Sequence, residues 1–242
     1  MYKMKDREFI IKGGDQLGIG LNDHQLDQLI RFKDLVLERN QSMNLTSIVD
    51  DREFIIKHYL DSFTLGRYFK QGGVQRVLDM GTGAGFPGIP LKILYPEIEF
   101  ILVDSLQKRI HFLKETVQVL GLEGILCIHA RAEELGQNPE YREGLDMVVS
   151  RAVAQVSVLS EYCLPLVKMG GSFLCLKGPR YGEELEEGKA AITKLGGKLH
   201  GVESVVLPFS DIEHYIIHIK KIRQTPPKFP RKPGKPSKNP IK

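Results

Sequence analysis

Three glycines and a few carboxylates carry the most readable chemistry in this chain. In Val77-Leu-Asp-Met-Gly-Thr-Gly-Ala-Gly-Phe-Pro-Gly88 an apolar run reaches Asp79, and glycines follow at 81, 83 and 85. Glycine allows a sharp turn and a close approach of backbone to ligand where a Cβ would collide. Pro87 suits the opening of a helix, because its missing N–H has no partner to lose there. A helix start behind the loop offers free N–H groups and a positive dipole end. Such a loop is built to hold a nucleotide-like ligand. Asp104 closes a second apolar run, Phe100-Ile-Leu-Val-Asp104, 23 residues after Gly81. A carboxylate at that strand end can accept both hydroxyls of a ribose. The alternative role, a cap for the helix over Gln107–Leu120, suits Ser105 better than Asp104. After a third apolar run, Glu133 of Ala130-Arg-Ala-Glu133 either receives an adenine amino group or shares a solvated acidic turn with Glu134.

The spacing bears on which cofactor is held. Dinucleotide binders use G-x-G-x-x-G to set a helix start against a pyrophosphate. Here the third glycine falls one place early, and Asp79 precedes the first by two residues. An acid there is a poor neighbour for a diphosphate and a good one for the amino and sulfonium groups of S-adenosylmethionine. Asp104 supports a nucleoside without choosing between the two, so a nicotinamide-dependent dehydrogenase stays open on these residues alone.

Other residues offer contacts to an acceptor. Lys177 ends a fifth apolar run, where it meets a phosphate or serves as a capping or surface lysine. Phe86, beside the glycines, covers the cofactor, stacks on a base or packs the loop on its helix. His58, Asp61 and Ser62 share one helical face; the favoured reading is that they lock an N-terminal extension to the body.

These groups must be positioned by elements legible in the pattern. Residues 1–70 read as helical: Asn22-Asp-His-Gln25 resembles a capping box, and Leu26, Leu29, Ile30, Val36 and Leu37 follow at helical spacing. A second helix begins near Asp51. From Gln75 short apolar runs (Val77–Asp79, Phe100–Asp104, Ile125–His129, Asp146–Ser150, Gly171–Leu176) alternate with amphipathic stretches at Gly88–Tyr95, Leu106–Leu120, Gln155–Val167 and Tyr181–Leu195. Short β-branched strands separated by helices predict a mostly parallel sheet covered on both faces. Val202–Leu207 and His214–Ile222, joined by a short polar turn, make one of the last two strands antiparallel. The expected fold is α/β and Rossmann-like, with seven strands. Its divisions are a helical extension over 1–70, the sheet domain over 71–222 and a tail over 223–242.

Composition sets outer bounds. With 42% hydrophobic and 26% charged residues in 242, the chain is that of an ordinary globular protein. No stretch nears the ~18 apolar residues of a membrane span, and the N-terminus lacks the apolar core of a secretory signal. Cys127, Cys163 and Cys175 have no metal-ligand spacing, so buried thiols in a cytoplasmic protein without a metal are expected. Between Lys220 and Lys242 stand nine Lys or Arg and no acid; the net charge of +4 therefore leaves −5 on the remainder. A basic tail on a mildly acidic body suits a polyanionic partner, or serves only to keep the chain soluble; in the first case Lys228, Arg231, Lys232 and Lys235 are cationic contacts and Phe229 a stacking surface. Six prolines over 224–242 exclude a regular helix or a central strand. Removing the tail should then weaken binding of a polyanion and spare the cofactor.

Taken together, several segments resemble one family, the bacterial GidB-type ribosomal RNA small subunit methyltransferases G. They are Asn44-Leu-Thr-Ser-Ile48, His58-Tyr-Leu-Asp-Ser62, the loop Asp79–Pro90, Val103-Asp-Ser105 with Lys108-Arg109 and Phe112-Leu113, Ser150-Arg-Ala-Val153, Leu176-Lys-Gly178 and Phe229-Pro-Arg-Lys-Pro-Gly-Lys-Pro236. Phe229 stands where the family pattern leads one to expect Tyr, and the first 20 residues carry no part of the likeness. The resemblance implies a methyltransferase fold and methylation of guanine N7 in 16S rRNA, on naked RNA or a small-subunit precursor, with S-adenosylmethionine as donor. It implies cofactor contacts at Gly81, Phe86, Ala132, Glu133 and Arg151, beside Asp79, Gly83 and Asp104 from the residue reading. Arg151, at the mouth of the fourth strand, is the expected catalytic residue, aligning the base through O6, a phosphate or the cofactor. A monomer is expected. Rival readings are a methyltransferase for another RNA or a small molecule, and a non-catalytic ribosome-assembly factor.

Overall fold

Continuous apolar runs of five or six residues have no polar face to give to water, so their strands must be covered on both sides. The computed structural model describes residues 2–69, 73–151 and 154–242. Its seven strands are β1 (Arg76–Met80), β2 (Glu99–Asp104), β3 (Ile125–His129), β4 (Leu145–Arg151), β5 (Val167–Lys177), β6 (Gly197–Val206) and β7 (Glu213–Lys221). They form one sheet in the order β3-β2-β1-β4-β5-β7-β6. The pairs β1–β2, β1–β4, β2–β3 and β4–β5 are parallel, and β7 runs antiparallel to both β5 and β6. Both expectations, a mostly parallel sheet and one reversed strand near its end, hold.

The helices are α1 (Tyr2–Gln16), α2 (Asp23–Met43), the short α3 (Asp51–Phe54) and α4 (Asp61–Phe63), α5 (Gly88–Leu94), α6 (Gln107–Val119), α7 (Ala132–Leu135), α8 (Val156–Cys163), α9 (Tyr181–Lys194) and α10 (Lys235–Lys238). Strand order reverses between β1 and β4, the switch point where ligands lie in such sheets. The C-terminal strand ends form one rim: Met80 pairs with Val103, Asp104 with His129 and Arg151 with Leu176.

The N-terminal extension is fastened to this sheet domain by polar and apolar contacts. The capping box at Asn22 is present in both directions, Gln25 N to Asn22 Oδ1 at 2.8 Å and Asn22 N to Gln25 Oε1 at 3.0 Å. The Gln25 amide also donates to the carbonyls of Ile93 and Leu94 at the end of α5, and Gln28 donates to that of Leu120 after α6. Side chains at helical spacing, Leu26, Leu29 and Phe32, share one core with Phe86, Ile89 and Leu113. The boundary expected at 70–71 falls outside the described residues.

The helix expected near Asp51 begins there as α3, capped by the Asp50 side chain; it passes into a π-helical turn over Ile55–Leu60 and, through α4, into a 3-10 turn over Thr64–Tyr68. Two expectations are corrected. The helix drawn through Val167 ends at Cys163, because Pro165 has no N–H to continue it, and Val167 already belongs to β5. The tail holds one helical turn, α10, with Pro236 in its first turn, where proline is tolerated.

Candidate active site

Gly81, Gly83 and Gly85 have φ of +72°, +62° and +103°, a region that side chains with a Cβ rarely enter. The loop is held from behind by Asp79. Its buried carboxylate accepts from Thr82 Oγ1 at 2.7 Å and from the Gly88 N–H at 2.8 Å, both at Oδ2. Oδ1 is buried without a hydrogen-bond partner among the described residues. Burial pushes the Asp79 carboxyl up to about 6, against the pull of Thr82, Gly88 and the Arg151 charge.

Asp104 braces the loop from the next strand. Its Oδ2 accepts from the Gly83 N–H at 3.0 Å and from Arg109 at 3.2 Å, and its Oδ1 accepts from the Leu106 N–H at 2.8 Å. Neither Ser105 nor Asp104 caps α6 from its side chain: Asp104 reaches only the N–H of Leu106, the residue that precedes the first turn. A carboxylate offers about four acceptor sites, so Asp104 keeps capacity for a ligand.

In front of these groups lies a cleft of about 170 Å³. It brings together Gly81, Asp104, Ala132 and Glu133, four of the eight expected cofactor contacts, with Tyr162 from α8 and Gly234 and Ser237 from the tail opposite. Asp79, Gly83, Phe86 and Arg151 do not line it. Phe86 is only 4% exposed. Its ring stacks on His58 (centroids 4.3 Å, planes 10° apart) and packs against Phe32 and Phe54, so it joins the loop to the extension and presents no free face to a cofactor or base.

Arg151 is held by the same extension. Nη1 donates to the Lys57 carbonyl at 3.0 Å and to Asp61 Oδ2 at 2.9 Å, Nη2 meets His58 Nδ1 at 3.1 Å, and the guanidinium lies 5.3 Å from the Phe86 ring centroid. A guanidinium can only donate. His58 Nδ1 therefore accepts, and the Nε2–H is left to donate to Thr46 Oγ1 at 3.0 Å. Burial and the Arg151 charge press His58 down to about 3, so it is neutral. Burial pushes the Asp61 carboxyl up, but the His214 hydrogen bond and Arg151 outweigh it and hold the group below its ordinary value. These bonds use three of the five guanidinium donors; among the described residues, two remain for a ligand. His58 and Asp61 lock the extension, as favoured from sequence, and in doing so aim Arg151. Ser62 turns back to the His58 carbonyl.

The expected polyanion contacts divide. Lys177 bonds the Ala154 carbonyl and Glu184 Oε2, so its charge is engaged within the fold. Phe229 is buried and offers no stacking surface. Arg231 forms a two-pronged pair with Glu161, itself 1% exposed. Lys228, Lys232 and Lys235 are exposed and line a groove with Lys194 and Lys242. The tail is docked along its length: Arg142 donates to the carbonyls of Thr225 and Phe229, Gln137 to that of Pro230, and the Gly234 N–H to Glu133 Oε1 at 2.9 Å. The Pro230 ring lies 2.7 Å from where a Cβ on Gly136 would stand, so only glycine admits the tail there. Gly234 and Ser237 of the tail wall the cleft.

A model of the GidB family, rRNA small subunit methyltransferase G, matches residues 25–212. The chain belongs to this family. It is 50% identical over 241 residues to the ribosomal RNA small subunit methyltransferase G of Alkaliphilus metalliredigens, covering 99% of this chain and 100% of that one. To that of Lactobacillus acidophilus it is 47% identical over 242 residues, covering 98% and 100%. An O-methyltransferase from Bacillus cereus in complex with SAH shares the fold at a TM-score of 0.56 and 15% identity, over 78% of this chain and 91% of that one. TYW2 of M. jannaschii in complex with AdoMet does so at 0.50 and 19%, over 62% and 70%. Membership in the methyltransferase G family makes this an S-adenosylmethionine-dependent rRNA methyltransferase and sets aside the dehydrogenase, small-molecule and non-catalytic readings.

The residues fit that cofactor. An unpartnered buried carboxylate oxygen at Asp79 and acceptor capacity at Asp104 suit a cationic nucleoside, and the three positive-φ glycines keep side chains off the loop. Tyr162, Gly234, Ser237 and His214 were missed from sequence. One signal for the tail's seat was present: Glu161 is the only acid in the apolar helix Val156–Cys163, and a buried carboxylate needs a cation.

Proposed function

We propose that this chain methylates N7 of a guanine in 16S rRNA, with the cofactor in the cleft beside Gly81, Asp104, Ala132 and Glu133 and the base brought to the rim by Arg151. The observation that carries this reading is Arg151 itself: three extension groups hold it beside the glycine loop, and among the described residues two donors stay open. When bound, S-adenosylmethionine supplies a methyl group on a positively charged sulfur. Guanine N7 already holds an in-plane lone pair, so no side chain has to remove a proton first. The chain's contribution is then orientation, bringing reacting atoms to about 3–3.5 Å. Asp104 holds the ribose hydroxyls through its remaining lone pairs, and Glu133 the adenine amino group. Asp79 keeps negative potential behind the loop. The open N–H groups of Arg151 suit guanine O6; they cannot occupy N7 while it attacks.

Lys228, Lys232 and Lys235 meet phosphates, and Lys177 and Phe229 act within the fold. The buried free thiols suit a reducing, cytoplasmic setting, and the acting species is a monomer; a light-scattering mass of twice the chain would refute this. The function is tested by labelled methyl transfer to 16S RNA and to small-subunit particles, followed by mapping of the modified base. Incorporation at a guanine N7 is expected; no incorporation into either substrate would sink the assignment.

A further inference from the structure

The tail does two things at once: its lysines face outward, while Gly234 and Ser237 face the cleft. We propose that the segment around Gly234–Ser237 is a strap that closes the adenine end of the cofactor site and contributes directly to cofactor affinity. This rests on the cleft being the S-adenosylmethionine site.

The seat is built. The Gly234 N–H donates to Glu133 Oε1 at 2.9 Å, the Ser237 hydroxyl turns back to the Gly234 carbonyl, and Tyr162 from α8 lines the cleft beside them. One carboxylate thus faces both the strap and the cleft. A few residues upstream, Arg231 gives its backbone N–H and its guanidinium to Glu161, which fixes where the strap begins. Gly234 has φ +78°, and a Cβ there would meet nothing within 4 Å, so the requirement is conformational and not one of space. From sequence, Glu133 either receives an adenine amino group or shares a solvated acidic turn with Glu134; it is buried. It also holds the strap, and the acceptor sites left on its carboxylate let both partners be served. Strap and cofactor therefore stabilise each other's position through Glu133, and by reciprocity whatever unseats one weakens the other.

Calorimetric titration of the full chain with S-adenosylhomocysteine tests this. Gly234→Pro removes the N–H given to Glu133 and demands a negative φ. In a variant that still unfolds cooperatively, Kd should rise about tenfold or more, the effect of uncovering roughly 50 Å² of ligand. In the wild type, hydrogen exchange over 231–238 should slow when the ligand binds. A folded Gly234→Pro chain with unchanged Kd, or exchange over 231–238 that ignores the ligand, overturns the strap. No binding to the wild type overturns strap and cofactor site together.

Discussion

The guanidinium of Arg151 and the carboxylate of Asp61 meet at 2.9 Å across 90 residues of chain. Asp61 is 1% exposed and stays ionised because His214, from β7, supports its other oxygen. The residue at the mouth of β4 is thus aimed by the N-terminal extension and braced by the far hairpin. Breaking such a pair from one side leaves a buried charge without its partner.

Asp61→Asn should therefore lower kcat by tenfold or more, because it keeps the shape and one acceptor but loses the charge that fixes Arg151. KM for S-adenosylmethionine should change little, since Asp61 does not line the cleft. Asp61→Ala should also cost about 3–5 kcal/mol of stability. Steady-state kinetics with 16S RNA particles, with urea unfolding, check both. Wild-type kcat in Asp61→Asn would remove the positioning role.

The sheet was legible because strands buried on both faces must be short apolar runs, as at Phe100–Asp104, and the brief turn after Leu207 left only a hairpin. The loop was legible because three positive-φ positions close together select glycine. The π-helical turn at Ile55–Leu60 was not, since its changed hydrogen-bond register leaves no period that a reader can count. Nor was the docking of the tail: proline and lysine content describes an extended cationic segment whether or not Glu161 and Glu133 wait for it. Phe229 and Arg231 looked like RNA contacts because their types suit RNA; the fold uses them inward.

Asp79 should cost stability in exchange for its electrostatic role. Its carboxyl is raised from 3.8 to about 6 by burial, so at neutral pH the buried charge costs about 3 kcal/mol, a cost that fades as pH falls from 6 toward 3.8. Asp79→Asn keeps an acceptor for Thr82 and Gly88 but buries a new amide. The variant should be up to about 2 kcal/mol more stable than wild type at pH 7. That advantage should shrink on acidification, and S-adenosylhomocysteine affinity should fall. Urea unfolding at pH 7 and 4.5, with calorimetry, measures both.

His58 works in the opposite direction. Its folded value of about 3 lies below the ordinary 6.5, so its contribution is complete above pH 6.5. It is lost as pH falls toward 3, because the unfolded chain takes up a proton that the folded chain refuses. The slope is about 1.4 kcal/mol per pH unit, or about 2 kcal/mol by pH 5. His58→Gln, which retains an acceptor for Arg151, should flatten the decline between pH 6.5 and 4.5 and expose the opposing trend of Asp79. An unaltered pH–stability curve would show that His58 titrates normally in the folded chain.

Two classes of tail cation should separate in one experiment. Lys228, Lys232 and Lys235 are exposed, whereas Arg231 is paired with buried Glu161. Replacing the three lysines by Gln should leave stability within about 0.5 kcal/mol. It should reduce the slope of log K for RNA against log salt by about 0.7 for each lost single-strand phosphate contact, roughly 2 in all. Arg231→Gln should instead destabilise the fold by about 3 kcal/mol, because Glu161 keeps its burial and loses its cation. Filter binding across a salt series and thermal unfolding on the same preparations give both quantities. If Arg231→Gln flattened the salt slope with no loss of stability, the arginine would be an RNA contact after all, and its pairing with Glu161 would not be what seats the tail.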